Sequence, residues 1–304
     1  MKSRVTRNDV LMVVVASAFA AMLSLLAWQV LGPVAIFPSL VICLAILLWA
    51  QFESMRRTSE QLAEMRKNAF DDFRQVESLL SLFATLKPEL PLPPLRDHSM
   101  SPDLLRCAVE VMLHNKPQVV VELGSGASTV FLAYCLKRIG HGRLLSIDHD
   151  SVFADKTRTM IKQHGLAEYA TVLFRPLEQL RVRGNDCLWY SIHPSDMNGP
   201  VDLLLIDGPP YHVHPLARYP AVPVMLPYMT ANAVIILDDA NRPEELHIID
   251  LWAAEFPELS MEKLDTEKGG LKLERSAPGS ADGLAGEVGK HESTAHSRAR
   301  IKLG

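Results

Sequence analysis

Cysteine is scarce in this sequence, and basic residues are not in excess. The four cysteines, Cys43, Cys107, Cys135 and Cys187, include no C-x-x-C pair, so they offer neither the spacing of a zinc or redox site nor a disulfide framework. Scattered thiols of this kind are typical of reduced cysteines in a cytosolic compartment. The 31 Lys and Arg residues are outnumbered by 35 Asp and Glu residues. The sequence therefore gives no reason to expect nucleic acid as a partner.

Charge is absent from residues 10–50. Residues 10–31 are almost wholly apolar and, at about 1.5 Å per residue, are long enough to span a bilayer core of roughly 30 Å. A Gly-Pro pair interrupts the run, and residues 34–50 form a second, shorter one. Basic residues precede the first run and follow the second, whereas the turn between them is uncharged, which predicts a transmembrane hairpin of two spans with both termini and the following domain in the cytoplasm. A cleaved signal peptide is the alternative, but the first run continues past the cleavage-like residues 16–18.

Residues 51–87 predict a long polar helix with an apolar seam. Met55, Leu62, Ala69, Val76 and Phe83 recur every seven residues. This heptad-like pattern favours a parallel coiled-coil homodimer through residues 52–86, and equally an amphipathic helix packed on the chain's own domain.

Composition divides the rest of the chain into three parts. Residues 88–100 contain several prolines and predict an extended linker. Residues 101–275 alternate between strand-like and helix-like segments. Residues 276–304 are rich in Ser, Gly, Ala and charge, and predict a disordered tail.

The alternation predicts an α/β domain of Rossmann-like type, with a doubly wound, mainly parallel sheet and a C-terminal antiparallel hairpin. Residues 177–181 are expected to form a short helix or turn. Ligands bind such sheets at the carboxyl ends of the strands. The acids expected at that edge are Glu122, Asp148, Asp207, Asp238 and Asp239.

The loop after the first strand lacks the third glycine of a dinucleotide-binding fingerprint. It reads Glu122-x-Gly124-x-Gly126-x-x-Thr129, and the fingerprint would place glycine at Thr129. This difference disfavours NAD. Asp148, at the next strand end, is suited to accept two hydrogen bonds from ribose hydroxyls. The glycine loop and Asp148 together predict a nucleotide-like ligand.

Three stretches carry a family resemblance: residues 121–129 (Val-Glu-Leu-Gly-Ser-Gly-Ala-Ser-Thr), Ser-Ile-Asp148, and Ile-Asp207-Gly-Pro-Pro. Over roughly residues 100–275, the chain resembles the class I S-adenosylmethionine-dependent methyltransferases, in the branch whose fourth strand ends in Ile-Asp-Gly. The resemblance implies S-adenosylmethionine as cofactor, with Asp148 on the ribose and His149 near the adenine. The implied cofactor-binding residues are Glu122, Gly124, Ser125, Gly126, Ser128, Thr129, Asp148, His149 and Asp207.

Methyl transfer to an alcohol or phenol requires removal of the acceptor's proton, by a general base or by a metal that lowers the acceptor's pKa. Asp207, His212 and His214 are the candidate catalytic residues. Histidine titrates near neutral pH, so either histidine is a reasonable base. Their spacing does not choose between them, and exposed loop histidines are the alternative interpretation.

Asp207, Asp238 and Asp239 follow two strands that are adjacent in this fold, so their carboxylates can converge on Mg²⁺ or another divalent cation. The arrangement is similar to that of catechol-type O-methyltransferases, with Asp239 standing where that group has an amide. Alternatively, Asp238 and Asp239 cap the following loop and helix, while Asp207 only shapes a turn.

These features together predict a membrane-anchored methyltransferase that methylates oxygen on a small-molecule or lipid-linked acceptor, such as a lipid-linked saccharide. A non-catalytic, membrane-tethered binding module with the same fold is the alternative. A nucleotide-dependent oxidoreductase is a third possibility, disfavoured by the missing glycine.

Overall fold

The computed structural model describes residues 15, 18–19, 21–22, 25–26, 28–30, 32–95, 99–197 and 199–275. The chain divides into two compact units, Met1–Phe73 and Arg74–Gly304. The predicted tail, residues 276–304, and most of the predicted first span, residues 10–31, lie outside the described residues.

The predicted second span is part of a much longer helix. A 3₁₀ turn, Gly32–Ala35, leads into helix α1, Ile36–Leu86, which also contains the predicted connector helix. The apolar part of α1 ends before Glu53, which forms ion pairs with Arg56 and Arg57. That part lies at the lower end of the range of about 17–25 residues that membrane spans have.

In the described part of the chain, no helix combines the length and the apolarity needed to cross a membrane. The prediction of a two-span membrane protein with a cytoplasmic domain is therefore wrong. The apolar residues after Gly32 belong to a helix that continues into a strongly charged segment.

The last turns of α1 present two different faces. Ser78, Leu82 and Leu86 are buried, and the two leucines belong to the same hydrophobic cluster as Leu104 on the next helix. Val76, a member of the heptad series, is exposed. Leu86, which belongs to the predicted apolar seam, is thus packed together with Leu82, whereas Val76 and Phe83 of the heptad series stay exposed.

A seven-stranded sheet forms the centre of the second unit, in the order β3-β2-β1-β6-β7-β9-β8. The first five strands in this order pair in parallel, whereas β9 runs antiparallel to both β7 and β8. This arrangement confirms the prediction of a Rossmann-like α/β fold with an antiparallel C-terminal edge. The strands are β1 Val119–Leu123, β2 Arg143–Asp148, β3 Ala170–Phe174, β6 Val201–Ile206, β7 Met229–Asp238, β8 Leu259–Leu264 and β9 Gly270–Arg275.

Five further α-helices accompany the sheet. Hydrophobic clusters lie on both of its faces, one containing Trp189 and Trp252 and the other containing Leu104 and Phe131. Burial of both faces explains the nearly continuous apolar runs of the parallel strands. The helices are α2 Pro102–Asn115, α3 Ala127–Ile139, α4 Ser151–Gln163, α5 Ala221–Met225 and α6 Pro243–Glu255.

Residues 177–181 are a strand, and the prediction of a short helix or turn there was wrong. Strand β4, Leu177–Val182, pairs antiparallel with β5, Asn185–Tyr190, in a separate two-stranded sheet. The connecting residues, Arg183 and Gly184, both have positive φ, as two-residue hairpin loops require. This hairpin places Tyr190 beside the candidate site.

Candidate active site

The glycine loop after β1 is fixed to the strands on both sides. The Gly124 N–H donates to the Ile147 carbonyl of β2 at 2.8 Å, and the Asp207 N–H, just after β6, donates to the Leu123 carbonyl at 2.9 Å. Gly124 has φ +96°, and a Cβ there would lie 3.1 Å from the Asp207 carbonyl carbon and 3.3 Å from the Gly208 nitrogen. The loop and the turn after β6 therefore meet backbone to backbone.

Replacing Gly124 with alanine is expected to weaken S-adenosylhomocysteine binding by roughly tenfold or more, because the loop must move away from Asp207. The matched control is Gly140→Ala, since Gly140 has φ +89° but a Cβ there would meet nothing within 4 Å. Both variants should lose some thermal stability through the positive φ, and only Gly124→Ala should lose affinity in calorimetry. Equal affinity in the two variants would contradict this role for the loop.

Glu122 is fully buried and accepts three hydrogen bonds from hydroxyl groups. Ser128 Oγ donates to one carboxylate oxygen, and Thr129 Oγ1 and Ser146 Oγ donate to the other, each at 2.6 Å. Burial raises the pKa of Glu122, and these three hydrogen bonds oppose that rise. Thr129 Oγ1 also accepts from the Gly126 N–H at 3.0 Å. The threonine in place of a third glycine thus ties the end of β1 to the start of α3.

Asp148 is held against the same loop. Its Oδ2 accepts from the Ser125 N–H at 3.0 Å and from Ser125 Oγ at 2.6 Å, and its Oδ1 accepts from the Asp150 N–H at 2.9 Å. His149 lies beside it, with its Nδ1 3.5 Å from Asp148 Oδ1. The predicted ribose-binding carboxylate is therefore oriented by the glycine loop.

Tyr190 brings a buried hydroxyl group to this region. Within the described residues its Oη has no hydrogen-bond partner, and a Cβ on Gly208 would lie 2.5 Å from it. The rings of Tyr190 and His149 meet edge to face, with centroids 6.4 Å apart. Burial, and after it the charge of Asp148, raise the pKa of Tyr190 well above its ordinary value. A neutral, buried donor thus lies between the cofactor loop and the turn after β6.

Replacing Tyr190 with phenylalanine is expected to leave the thermal midpoint unchanged or raise it slightly, because the variant removes a buried hydroxyl that has no partner. If this hydroxyl donates to the cofactor, the same variant should bind S-adenosylhomocysteine about tenfold more weakly by calorimetry. Tyr134→Phe is the matched control, because Tyr134 Oη already pairs with His164 Nδ1 at 3.0 Å. Unchanged affinity in Tyr190→Phe would exclude a ligand contact.

The three predicted carboxylates do converge at the ends of β6 and β7. One oxygen each of Asp207, Asp238 and Asp239 lies within 4.8 Å of the others. Arg218, from the loop before α5, occupies the same cluster with only 4% of its side chain exposed. Its Nη2 lies 2.9 Å from Asp239 Oδ2 and 3.3 Å from Asp207 Oδ1, and it donates to the Asp207 carbonyl at 3.0 Å. A buried guanidinium group therefore binds two of the three acids.

Negative charge still exceeds positive charge in the buried cluster. Glu245 adds a fourth carboxylate, itself buried, 3.8 Å from Arg218 Nε. Burial and then Asp238 raise the pKa of Asp207 well above its ordinary value, against the opposing effect of Arg218. Burial and then Asp239 raise the pKa of Asp238 to about 6. Burial and the neighbouring acids thus oppose the ionisation of both groups, and Arg218 favours it.

The arrangement does not fit a divalent ion bound by these acids. Mg²⁺ lies about 2.1 Å from its oxygen ligands, so an ion on Asp207 Oδ1 and Asp239 Oδ2 would be placed against the permanently charged guanidinium of Arg218. Asp238 Oδ2 and Asp239 Oδ1 are buried without hydrogen-bond partners in the described structure.

The two candidate histidines lie on the loop that follows Asp207. His212 is exposed and meets Tyr211 edge to face, with ring centroids 5.7 Å apart. His214 is half-buried, and its Nδ1 lies 2.6 Å from the Pro215 carbonyl oxygen. Their role as general base remains a prediction.

Residues 121–240 match the model of a family described as a methyltransferase domain. No curated protein sequence matches the chain. Similar solved structures include an O-methyltransferase from Bacillus cereus in complex with SAH, with 17% identity, a TM-score of 0.46 and coverage of 68% of this chain and 97% of that one. The O-methyltransferase TomG from Streptomyces achromogenes, in complex with SAM, has 14% identity, a TM-score of 0.46 and coverage of 69% and 96%.

The matched segment contains the glycine loop, Asp148 and the three aspartates Asp207, Asp238 and Asp239. The prediction of an S-adenosylmethionine-dependent methyltransferase, an enzyme of class EC 2.1.1, is thereby confirmed.

Proposed function

We propose that the enzyme transfers a methyl group from S-adenosylmethionine to a hydroxyl oxygen of a small-molecule acceptor. One observation carries this proposal. Asp207 directly follows β6, and its backbone packs against Gly124 of the glycine loop. Asp207 is also one of the three aspartates whose carboxylates converge. The cofactor loop and a carboxylate able to accept a proton therefore share one edge of the sheet.

The residues around the loop fit the cofactor. Asp148 offers carboxylate oxygens for ribose hydroxyls, Tyr190 offers an unpartnered hydroxyl group, and the backbone at Gly124 leaves no space for a side chain. The bound cofactor supplies an electrophilic methyl group on a sulfonium. We infer that the protein's part is to hold the acceptor in line with that methyl group and to accept the acceptor's proton.

Asp207 is the residue that we assign to proton acceptance. A general base works best when its pKa lies near the working pH, and burial moves the pKa of Asp207 upward from its usual acidic value. Arg218 fixes the carboxylate through both the backbone and the side chain of Asp207. His212 and His214 follow on the adjoining loop and remain the alternative bases.

The full chain, supplied with methyl-labelled S-adenosylmethionine and a panel of phenols, sugars and aliphatic alcohols, tests the proposal through the appearance of S-adenosylhomocysteine and the labelled ether. Asp207→Asn is expected to lower kcat by about 10²-fold or more while S-adenosylhomocysteine binding is retained. Label on nitrogen or sulfur would contradict O-methylation. Cofactor binding without turnover on any acceptor would favour the binding-module alternative.

We also infer that the chain forms a homodimer through residues 52–86. The heptad residues Met55, Leu62, Val76 and Phe83 are exposed along α1, whereas the packed face near its end uses Leu82 and Leu86. A long exposed apolar seam at heptad spacing suits parallel pairing with a second copy.

Replacing Leu62 with glutamate is expected to halve the mass of the full chain in light scattering, because the charge would lie in the paired seam. Phe70→Glu is the matched control, since Phe70 is also exposed on α1 but lies outside the heptad series. Equal masses for Leu62→Glu and the wild type would contradict the seam as the interface.

A further inference from the structure

Arg218 is the central feature of the carboxylate cluster. Acidic groups from the end of β6, the end of β7 and helix α6 surround it. Its Nη1 donates to the Asp238 carbonyl at 2.8 Å, while Nη2 pairs with Asp239 and Asp207, and Nε faces Glu245 at 3.8 Å. The side chain therefore reaches every acid of the cluster, through its carboxylate or its backbone carbonyl.

The guanidinium group lies where a metal ion bound by the three aspartates would lie. The three aspartates offer oxygens within 4.8 Å of one another, and Nη2 is within 3.3 Å of two of them. Divalent ions bind such sites through six or more oxygens, several of them often water. Arg218, Asp238 and Asp239 are each at least 95% buried, and only 11% of the Asp207 side chain is exposed, so an ion among these acids would have to lose most of its waters.

Charge also favours arginine over a divalent ion. A guanidinium group is not deprotonated in proteins, so Arg218 keeps its positive charge when another cation approaches. A second cation on the same oxygens would lie about 4 Å from it, where like charges repel strongly in a buried site. Arg242 adds a further positive charge, with its Nη1 2.9 Å from Asp239 Oδ2.

We propose that the guanidinium of Arg218 is the permanent cation of this cluster, takes the place that a divalent ion would have among Asp207, Asp238 and Asp239, and makes the enzyme independent of metal. The claim that methyl transfer needs no metal rests on the proposed function, whereas the exclusion of a metal ion from the cluster does not. Arg218 is a positioning residue in this scheme, because it acts through Asp207.

Direct binding of Mn²⁺ to the full chain, followed by electron paramagnetic resonance and calorimetry, tests the exclusion without any turnover. The wild type is expected to show no stoichiometric binding below about 1 mM Mn²⁺. Arg218→Ala removes the cation and leaves three facing carboxylates, so this variant should bind Mn²⁺ at least about tenfold more tightly than the wild type. Adding Asp238→Asn and Asp239→Asn to Arg218→Ala should abolish the gained binding.

Two outcomes would overturn the proposal. One is a single Mn²⁺ bound by the wild type and lost in Asp238→Asn. The other is a folded Arg218→Ala variant that gains no affinity for Mn²⁺. Should Arg218→Ala fail to fold, the wild-type titration decides the matter alone. If turnover on a hydroxylated acceptor is found, it should be unchanged after dialysis against a chelator, and loss of that turnover with full recovery by Mg²⁺ would contradict metal independence.

Discussion

Replacing Arg218 with methionine is expected to lower the free energy of unfolding by about 3–5 kcal/mol. Methionine approximates the length of the arginine stem but carries no charge, so Asp207 and Glu245 would lose the guanidinium group that they face, and Asp239 would keep only the more exposed Arg242. The loss should appear in urea denaturation of the full chain, followed by the fluorescence of its tryptophans.

Arg242→Met is the matched control. Arg242 pairs with the same Asp239 oxygen at 2.9 Å, but 39% of its side chain is exposed. An exposed partner of this kind contributes at most about 1 kcal/mol. Equal losses of unfolding free energy in the two variants would show that burial of the arginine does not determine how much it contributes to stability.

The stability deficit of Arg218→Met should also depend on pH. Burial already raises the pKa of Asp207 and of Asp238, the latter to about 6, and loss of the guanidinium would raise both pKa values further. A carboxyl group with a raised native pKa binds a proton more readily when folded, so its penalty is small at low pH and grows as the pH rises through the native pKa. The deficit should therefore shrink between about pH 8 and pH 5.5, and a constant deficit would point to lost packing.

Replacing Asp148 with alanine is expected to weaken S-adenosylhomocysteine binding by about 100-fold or more. Each hydrogen bond from a ribose hydroxyl to this charged acceptor contributes about 1.5–3 kcal/mol, and about 1.4 kcal/mol corresponds to a factor of ten in affinity. The variant also removes the acceptor that holds Ser125 in the glycine loop. Calorimetry on the full chain measures the change.

Asp150→Ala separates cofactor binding from stability. Asp150 lies two residues away and caps α4, accepting from the Val152 N–H at 2.7 Å and the Phe153 N–H at 3.3 Å. Its loss should cost about 1 kcal/mol of stability without a comparable loss of affinity. If Asp148→Ala binds S-adenosylhomocysteine as tightly as Asp150→Ala, Asp148 does not hold the ribose.

The parallel part of the fold could be predicted because its signals are local. Each buried strand is a short apolar run, and the acids at Asp148, Asp207 and Asp238 stand where those runs end. Strand adjacency then brings Asp207 and Asp238 together, since β6 and β7 are neighbours. Family resemblance added the cofactor, because the missing glycine at Thr129 argued only against NAD.

The hairpin of β4 and β5 gave a weaker signal. Most side chains of β4 are exposed, so the strand lacks the apolar face that identifies strands in a sequence. The two-residue turn Arg183-Gly184 was the available indication, since glycine supplies positive φ in such turns.

Two other features depend on tertiary contacts or on context. Arg218 is separated from Asp207 and Asp239 by 11 and 21 residues, and no periodicity connects them, so its place among the acids follows only from the folded structure. The apolar run of residues 34–50 has the composition of a membrane span, yet it continues into a charged helix that is not apolar enough to be one.

Titration of the full-length wild-type chain with S-adenosylhomocysteine in a calorimeter is the most direct test of the central claim, that the loop at Gly124 and the carboxylate of Asp148 bind this cofactor. We expect saturable binding of one molecule per chain, lost in Asp148→Ala and retained in Asp150→Ala. A folded wild-type protein that shows no binding, or that binds NAD in preference, would contradict the claim.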